Sequence, residues 1–258
     1  TSGGAAYCWG FNDLGALGDG STTDRTTPVA VAGGITFTSL TAGFLHTCGL
    51  TSGGAAYCWG YNVYGQVGDG STTDRTTPVA VAGGITFTSL TAGFLHTCGL
   101  TSGGAAYCWG YNVYGQVGDG STTDRTTPVA VAGGIRFTSL TAGLHTCGLT
   151  SGGAAYCWGF NDLGALGDGS TTDRTTPVAV AGGITFTSLT AGFLHTCGLT
   201  SGGAAYCWGY NVYGQVGDGS TTDRTTPVAV AGGITFTSLT PGFLHTCGLT
   251  SGGAAYCW

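Results

Sequence analysis

At 258 residues the chain is long enough for one large domain or two small ones, but only 7% of it is charged, against about 25% in ordinary globular domains. Six Arg, twelve Asp and neither Lys nor Glu give a net charge of −6. The arginines fall one to a repeat plus Arg136, with no cluster, which argues against a phosphate-binding surface or a nucleic-acid partner, and no apolar run reaches the roughly 18 residues of a membrane span.

Gly (52 residues) and Pro (6 residues) together approach the level of low-complexity sequence, yet the aromatics, at 11%, and β-branched residues on a fixed period permit a packed core. The chain starts at Thr1 without Met or a signal-like segment, which fits a removed leader or a piece of something longer. Eleven cysteines at regular spacing and a Thr-rich surface point to an oxidising, extracellular setting.

The sequence repeats with a period of 50 residues, in units 1–50, 51–100, 101–149, 150–199 and 200–249 and a partial unit 250–258, all read as one array. Ala5 to Gly10 is expected to be a strand, and Asn12 to Asp24 a Gly-rich loop. Pro28 to Ala32 follows as an edge strand, because Pro lacks the donor that a central strand needs. Gly33-Gly34 is a turn, and Ile35 to Leu40 alternates apolar and hydroxylic residues as a half-buried strand does. Gly43 breaks it, and Phe44 to Leu50 runs into the next unit. Four strands per unit is the content of one propeller blade.

Two versions of the loop alternate irregularly: FNDLGAL at 11–17 and 160–166, and YNVYGQV at 61–67, 111–117 and 210–216. Arg136, Pro241 and a missing Phe before Leu144 break the symmetry, and a bulge is expected to absorb the deletion.

The unit boundary falls in the stretch His46 to Gly60, which reads as a β-hairpin turning through Ser52-Gly53-Gly54. In that register Leu50 faces Ala56 and Cys48 faces Cys58, close enough for a disulfide. The later copies place Cys98 opposite Cys108, Cys147 opposite Cys157, Cys197 opposite Cys207 and Cys247 opposite Cys257. Each such bond would tie successive repeats together. Alternation puts Phe44, His46, Cys48, Leu50, Ala56 and Cys58 on one face, and Leu45, Thr47, Tyr57 and Trp59 on the other. A zinc site of His46, Cys48 and Cys58, and free buried thiols, are the competing readings. Cys8 has no upstream partner, which suggests that the array continues.

The run GxNxxGxLGDGSTTDRTTPV followed by GGITFTSLTAGFLHTCGLTSGGAAYCWG resembles the RCC1 repeat in its cysteine-containing bacterial form, over essentially the whole chain. Residues 15–19 (GALGD), Pro28-Val29, Gly43, His46 and Trp59-Gly60 carry the likeness. The resemblance implies an all-β, propeller-type fold, as a closed propeller or as an open superhelical array, with His46 in a structural hydrogen bond. Proteins of this kind usually have seven blades, and five repeats are present here.

Further candidates recur along the repeats, some of them in the loop that varies. Asp19 and Asp24 with the hydroxyls between them offer oxygens for a weak calcium loop, although no Glu is available to bind in bidentate fashion. The competing reading is an Asx-turn loop, in which the two Asp bond backbone amides and Arg25. Tyr61, Tyr64, Tyr111, Tyr114, Tyr210 and Tyr213, with Phe11 and Phe160, would form a binding surface or cap the core. Thr22, Thr23, Thr26 and Thr27 beside Pro28 are candidate O-glycan acceptors. Catalytic residue types occur only in identical copies, and no nucleophile elbow, P-loop or metalloprotease motif is found. The expectation is a secreted, non-catalytic structural or interaction scaffold without cofactor, metal or small-molecule substrate. Its partner would be protein, copies of itself included, in a filament or surface layer. The alternative is a closed propeller that binds another protein as an inhibitor or adhesion module.

Overall fold

The computed structural model describes residues 1–258. Its first sheet pairs β1 (Tyr7–Gly10) with β2 (Arg25–Ala30). The second is a four-stranded antiparallel meander of β3 (Ser39–Ala42), β4 (His46–Leu50), β5 (Ala56–Gly60) and β6 (Arg75–Ala80). The third repeats it with Ser89–Ala92, His96–Leu100, Ala106–Gly110 and Arg125–Ala130. The fourth uses Ser139–Ala142, His145–Leu149, Ala155–Gly159 and Arg174–Ala179. The fifth uses Ser188–Ala191, His195–Leu199, Ala205–Gly209 and Arg224–Ala229. A sixth, of three strands, holds Ser238–Pro241, Thr246–Leu249 and Ala255–Cys257.

The chain divides into two compact units, Thr1–Val113 with Thr122–Val131, and Tyr114–Ser121 with Ala132–Trp258. No helix is long and apolar enough to cross a membrane. The fold is all-β and built from repeated four-stranded sheets.

The sheets are out of phase with the sequence repeats. Residues 46–60 lie at the middle of a sheet that runs from Ser39 to Ala80, so the bond that spans two sequence repeats lies inside one sheet. The register is Thr47 opposite Trp59, Cys48 opposite Cys58, Gly49 opposite Tyr57 and Leu50 opposite Ala56.

Three sequence expectations are corrected. The strand expected over Ile35 to Leu40 starts at Ser39. Its alternation is real, since Phe37 is buried and Thr36 and Thr38 are exposed, but Phe37 N–H bonds the Gly4 carbonyl of a neighbouring turn. The strand expected over Pro28 to Ala32 runs from Arg25 to Ala30, and a register shift between Cys8 and Gly10 carries Thr26 to Pro28 past the ladder where no donor is required. The deletion before Leu144 makes no bulge. Thr141 opposes Cys147 just as Thr41 opposes Cys48, and the turn is shortened instead, with Gly143 N–H bonded to the His145 carbonyl.

Both faces of the central hairpin are covered. The face carrying Cys48, Leu50, Ala56 and Cys58 packs on Val67, Phe87 and Trp109, the last two belonging to the next sheet and its approach. Trp59, on the opposite face, packs with Phe37, on the approach to its own sheet, against Ala6 beside the preceding one. The joint between the second and third sheets thus sets a disulfide face against a Trp-Phe face, with Phe87 and Trp109 5.8 Å apart, centroid to centroid, and the fourth and fifth sheets repeat it with Cys147–Cys157 against Phe186 and Trp208.

Candidate functional site

Five disulfides join Cys48 to Cys58, Cys98 to Cys108, Cys147 to Cys157, Cys197 to Cys207 and Cys247 to Cys257, each across a Cα–Cα distance of 4.1 Å. Cys8 is a free, partly buried thiol, and burial raises its pKa. With Cys48 and Cys58 bonded to each other, His46 turns elsewhere, and its Nε2 meets Thr97 Oγ1 of the next sheet at 2.9 Å. Thr97 Oγ1 donates to the Gln66 carbonyl, and Trp109 Nε1 donates to that same carbonyl, both at 2.9 Å. A carbonyl oxygen has two lone pairs, so one backbone group of the loop ties two side chains of the next sheet. Gln116 and Ala165 carbonyls serve Thr146 with Trp158, and Thr196 with Trp208.

The same loop approaches the indole closely. Gly68 has φ +79°, and a Cβ there would lie 2.5 Å from Trp109 Nε1, so this position requires glycine on both counts.

The loop itself is organised by Asn62, whose significance the sequence did not reveal. Its side chain is fully buried. Asn62 Oδ1 accepts from Val67 N–H at 2.9 Å, while Nδ2 reaches Asp69 Oδ1, the Ser71 carbonyl and the Thr73 carbonyl at 3.1–3.3 Å. Its own backbone N–H donates to Asp74 Oδ1 at 2.7 Å. Asn12, Asn161 and Asn211 make the same set.

The carboxylates considered for calcium are held within this network. Asp19 Oδ1 accepts from Ser21 N–H and Oγ, and its Oδ2 accepts from Arg25 Nε at 2.8 Å and Nη2 at 2.7 Å. Asp24 Oδ1 accepts from Asn12 N–H at 2.6 Å. This is the arrangement of the Asx-turn reading. Burial alone would raise the Asp19 pKa, but the bonds from Ser21 and Arg25 outweigh it and bring it down to about 2. No group of three or more His, Cys, Asp or Glu is placed to hold a metal ion.

The tyrosines, half exposed, meet other rings edge to face within each unit. Tyr61 meets Tyr64 edge to face at 6.0 Å, and Tyr64 meets Tyr111 of the following repeat at 4.8 Å. In the second unit Tyr114 meets Phe160 at 5.0 Å and Tyr210 meets Tyr213 at 6.0 Å. Tyr213 is 66% exposed, and Val63, Val113 and Val212 stand half exposed beside the rings. Thr22, Thr23, Thr26 and Thr27 are exposed.

The sequence model described as "Regulator of chromosome condensation (RCC1) repeat" matches residues 3–50, 53–100, 103–149, 152–199 and 202–249, and a second RCC1 repeat model matches 37–66, 87–116 and 186–215. The chain belongs to the RCC1 repeat family. Among solved structures, this RCC1 repeat chain is similar to human WBSCR16, with TM-score 0.84 and 20% identity over 95% of this chain and 67% of that one. It is similar to Prp20p from Saccharomyces cerevisiae, with TM-score 0.80 and 22% identity over 93% of this chain and 63% of that one. It also resembles the ectodomain of the Physcomitrella patens receptor kinase CR4, with TM-score 0.64 and 26% identity over the whole of this chain and 57% of that one. The Prp20p structure was described with that protein's binding to Gsp1p and histones. The RCC1 repeat chain therefore spans between 57% and 67% of the length of these chains. The curated proteins searched contain no match.

Proposed function

We propose that this RCC1 repeat chain is a non-catalytic, secreted scaffold that acts through protein contacts, copies of itself included, as an extended array or surface layer. The observation that carries the reading is that the buried polar chemistry is spent inside the fold. The carboxylates of each loop bond Asn, Ser and Arg side chains, and His46, His145 and His195 bond the next sheet's threonine. What the repeats present outward is the same surface several times over, which suits multivalent contact. The five disulfides favour an oxidising compartment, because thiols are kept reduced in a cytosol.

Light scattering on fractionated protein and electron microscopy test assembly. Mass that rises with concentration and extended particles of fixed rise are expected, and discrete rings of one chain would overturn the array. Intact mass under non-reducing conditions, about 2 Da below the reduced chain for each hairpin, tests the redox setting. Labelling of all eleven cysteines without denaturant would sink it.

A second reading is a closed propeller that binds another protein through the half-exposed tyrosines of its loops. The concentration of sequence variation in the loop segment 11–17 and its copies, with Arg136, Pro241 and the deletion before Leu144 as single exceptions, favours it. Replacing Tyr64 and Tyr213 by Ser should then abolish capture of that partner while leaving the thermal midpoint within a few degrees.

A further inference from the structure

His46, His145 and His195 stand at the sheet-to-sheet joints, fully buried. Their Nε2 atoms lie 2.9, 2.6 and 2.9 Å from Thr97, Thr196 and Thr246 Oγ1. A hydroxyl has one proton to give. Thr97 gives it to the Gln66 carbonyl, Thr196 to the Ala165 carbonyl and Thr246 to the Gln215 carbonyl, each at 2.9 Å. The imidazole must therefore be the donor at Nε2. That fixes the tautomer and leaves Nδ1 as a bare acceptor, and Nδ1 of all three rings has no hydrogen-bond partner.

The ring is also closed in by backbone. A Cβ on Gly43 would come 2.3 Å from His46 Cε1 and 2.7 Å from Nδ1, and Gly192 stands in the same relation to His195. The groups packed around His46 are Thr97, Gly43, Gly93, Gly60 and the Cys48–Cys58 bond. For His145 the facing titratable group is His195, and for His195 it is His245. Neighbouring cations would add repulsion, and no carboxylate is placed to offset it.

We propose that these joints are acid-sensitive hinges: a proton taken up at Nδ1 puts an uncompensated charge in each joint and releases one sheet from the next, while the disulfide keeps each central hairpin intact. Burial agrees in direction, holding His46 and His195 down to about 4 and His145 to about 3. A folded-state pKa below the unfolded value of about 6.5 means that the unfolded or opened joint binds the extra proton. The joint's stability is therefore complete above about pH 6.5 and is lost as the pH falls toward about 4, with the closed-to-open ratio dropping roughly tenfold per pH unit for each joint.

The test is hydrogen exchange and nitrogen-15 NMR on the full chain across that window. The Nε2-protonated tautomer is expected for His46, His145 and His195, with no titration of these three rings near 6.5 in the folded protein. The indole protons of Trp109 and Trp208, which bond the same joint carbonyls, should lose protection at higher pH than the amides of Cys98 and Cys197 in the hairpins. His145→Gln keeps a donor for Thr196 without a titrating ring and should remove the acid loss at that joint alone. A bare Nε2 on His46, His145 or His195, titration of one of these three rings near 6.5 in the folded state, or simultaneous loss of indole and hairpin protection would overturn the proposal. The two wild-type measurements decide it even if the variant does not fold.

Discussion

The hairpin at 46–60 and the loop at 62–75 sit side by side, and both have a fully buried centre, Cys58 in one and Asn62 in the other. They are held by different means. The hairpin has a covalent bond, a ladder of backbone pairs and two apolar faces covered by neighbouring sheets. The loop has no ladder, and one amide side chain stands in for it, collecting two backbone carbonyls, one backbone N–H and a carboxylate. The comparison teaches that an irregular segment can be as fixed as a strand pair if one polar group satisfies many backbone groups that would otherwise be buried unpaired.

The sharpest way to break the comparison is to remove that amide. Asn161→Ala leaves the buried Leu166 N–H without its acceptor and strips the donor from the Ser170 and Thr172 carbonyls. Each orphaned buried group costs about 1–3 kcal/mol, so a loss of about 4 kcal/mol is expected, read from the urea midpoint. Loss below about 1 kcal/mol would mean that water or a neighbour replaces the amide. In that case the loop is not fixed by Asn161.

Removing the staple should cost somewhat less. A disulfide closing ten residues contributes about 2.7 kcal/mol in the chain-entropy model, so the double variant C197A/C207A should lose about 3 kcal/mol. The register and the Phe186–Trp208 contact do not depend on the bond, so near-ultraviolet dichroism of Trp208 should survive. A melted hairpin would show that the covalent bond, more than the packing, holds the strands in place.

The two regions also differ in how much of them the sequence reveals. Cys48 and Cys58 are local partners: ten residues, a Gly-Gly turn and period-two alternation suffice to oppose them. The faces of the hairpin follow from the same alternation. Asn62 belongs to a Gly-rich stretch with no periodicity, and its partners lie up to 12 residues away in a conformation that no local pattern encodes. The Asp19–Arg25 pair was legible because Asx turns are local, whereas the His46–Thr97 bond spans 51 residues and only the stacking of sheets reveals it. The phase of the sheets was hidden for a related reason. A repeat has no intrinsic start, and only the pairing of β3 with β4 and β5 with β6 places one.

The smallest effect expected comes from the rim of the loop. Arg174 is about 40% exposed on its side chain while Asp168 is nearly covered, so the pair lies between a surface ion pair and a buried one. Asp168 keeps Ser170 N–H, Ser170 Oγ and Asn161 Nδ2 when the guanidinium is gone. Arg174→Ala should therefore cost about 1 kcal/mol at neutral pH, near the upper end for exposed pairs. Its clearer signature is in acid. Burial pushes the Asp168 carboxyl up, but Ser170 and Arg174 together hold it below the ordinary value, so its contribution is present above the unfolded pKa and is lost as the pH falls through the folded one. Without Arg174 the folded pKa rises toward the unfolded value, the contribution shrinks, and the stability of the variant should depend less on pH than the wild type's below about pH 4. That window lies below the range in which the His46 and His195 joints are lost but overlaps the low end of the His145 range, so urea midpoints at pH steps are compared in the His145→Gln background. Parallel wild-type and variant curves through the carboxylate range would mean that Asn161 and Ser170 hold the carboxylate unaided, leaving the salt bridge as decoration on a loop that its buried amide already fixes.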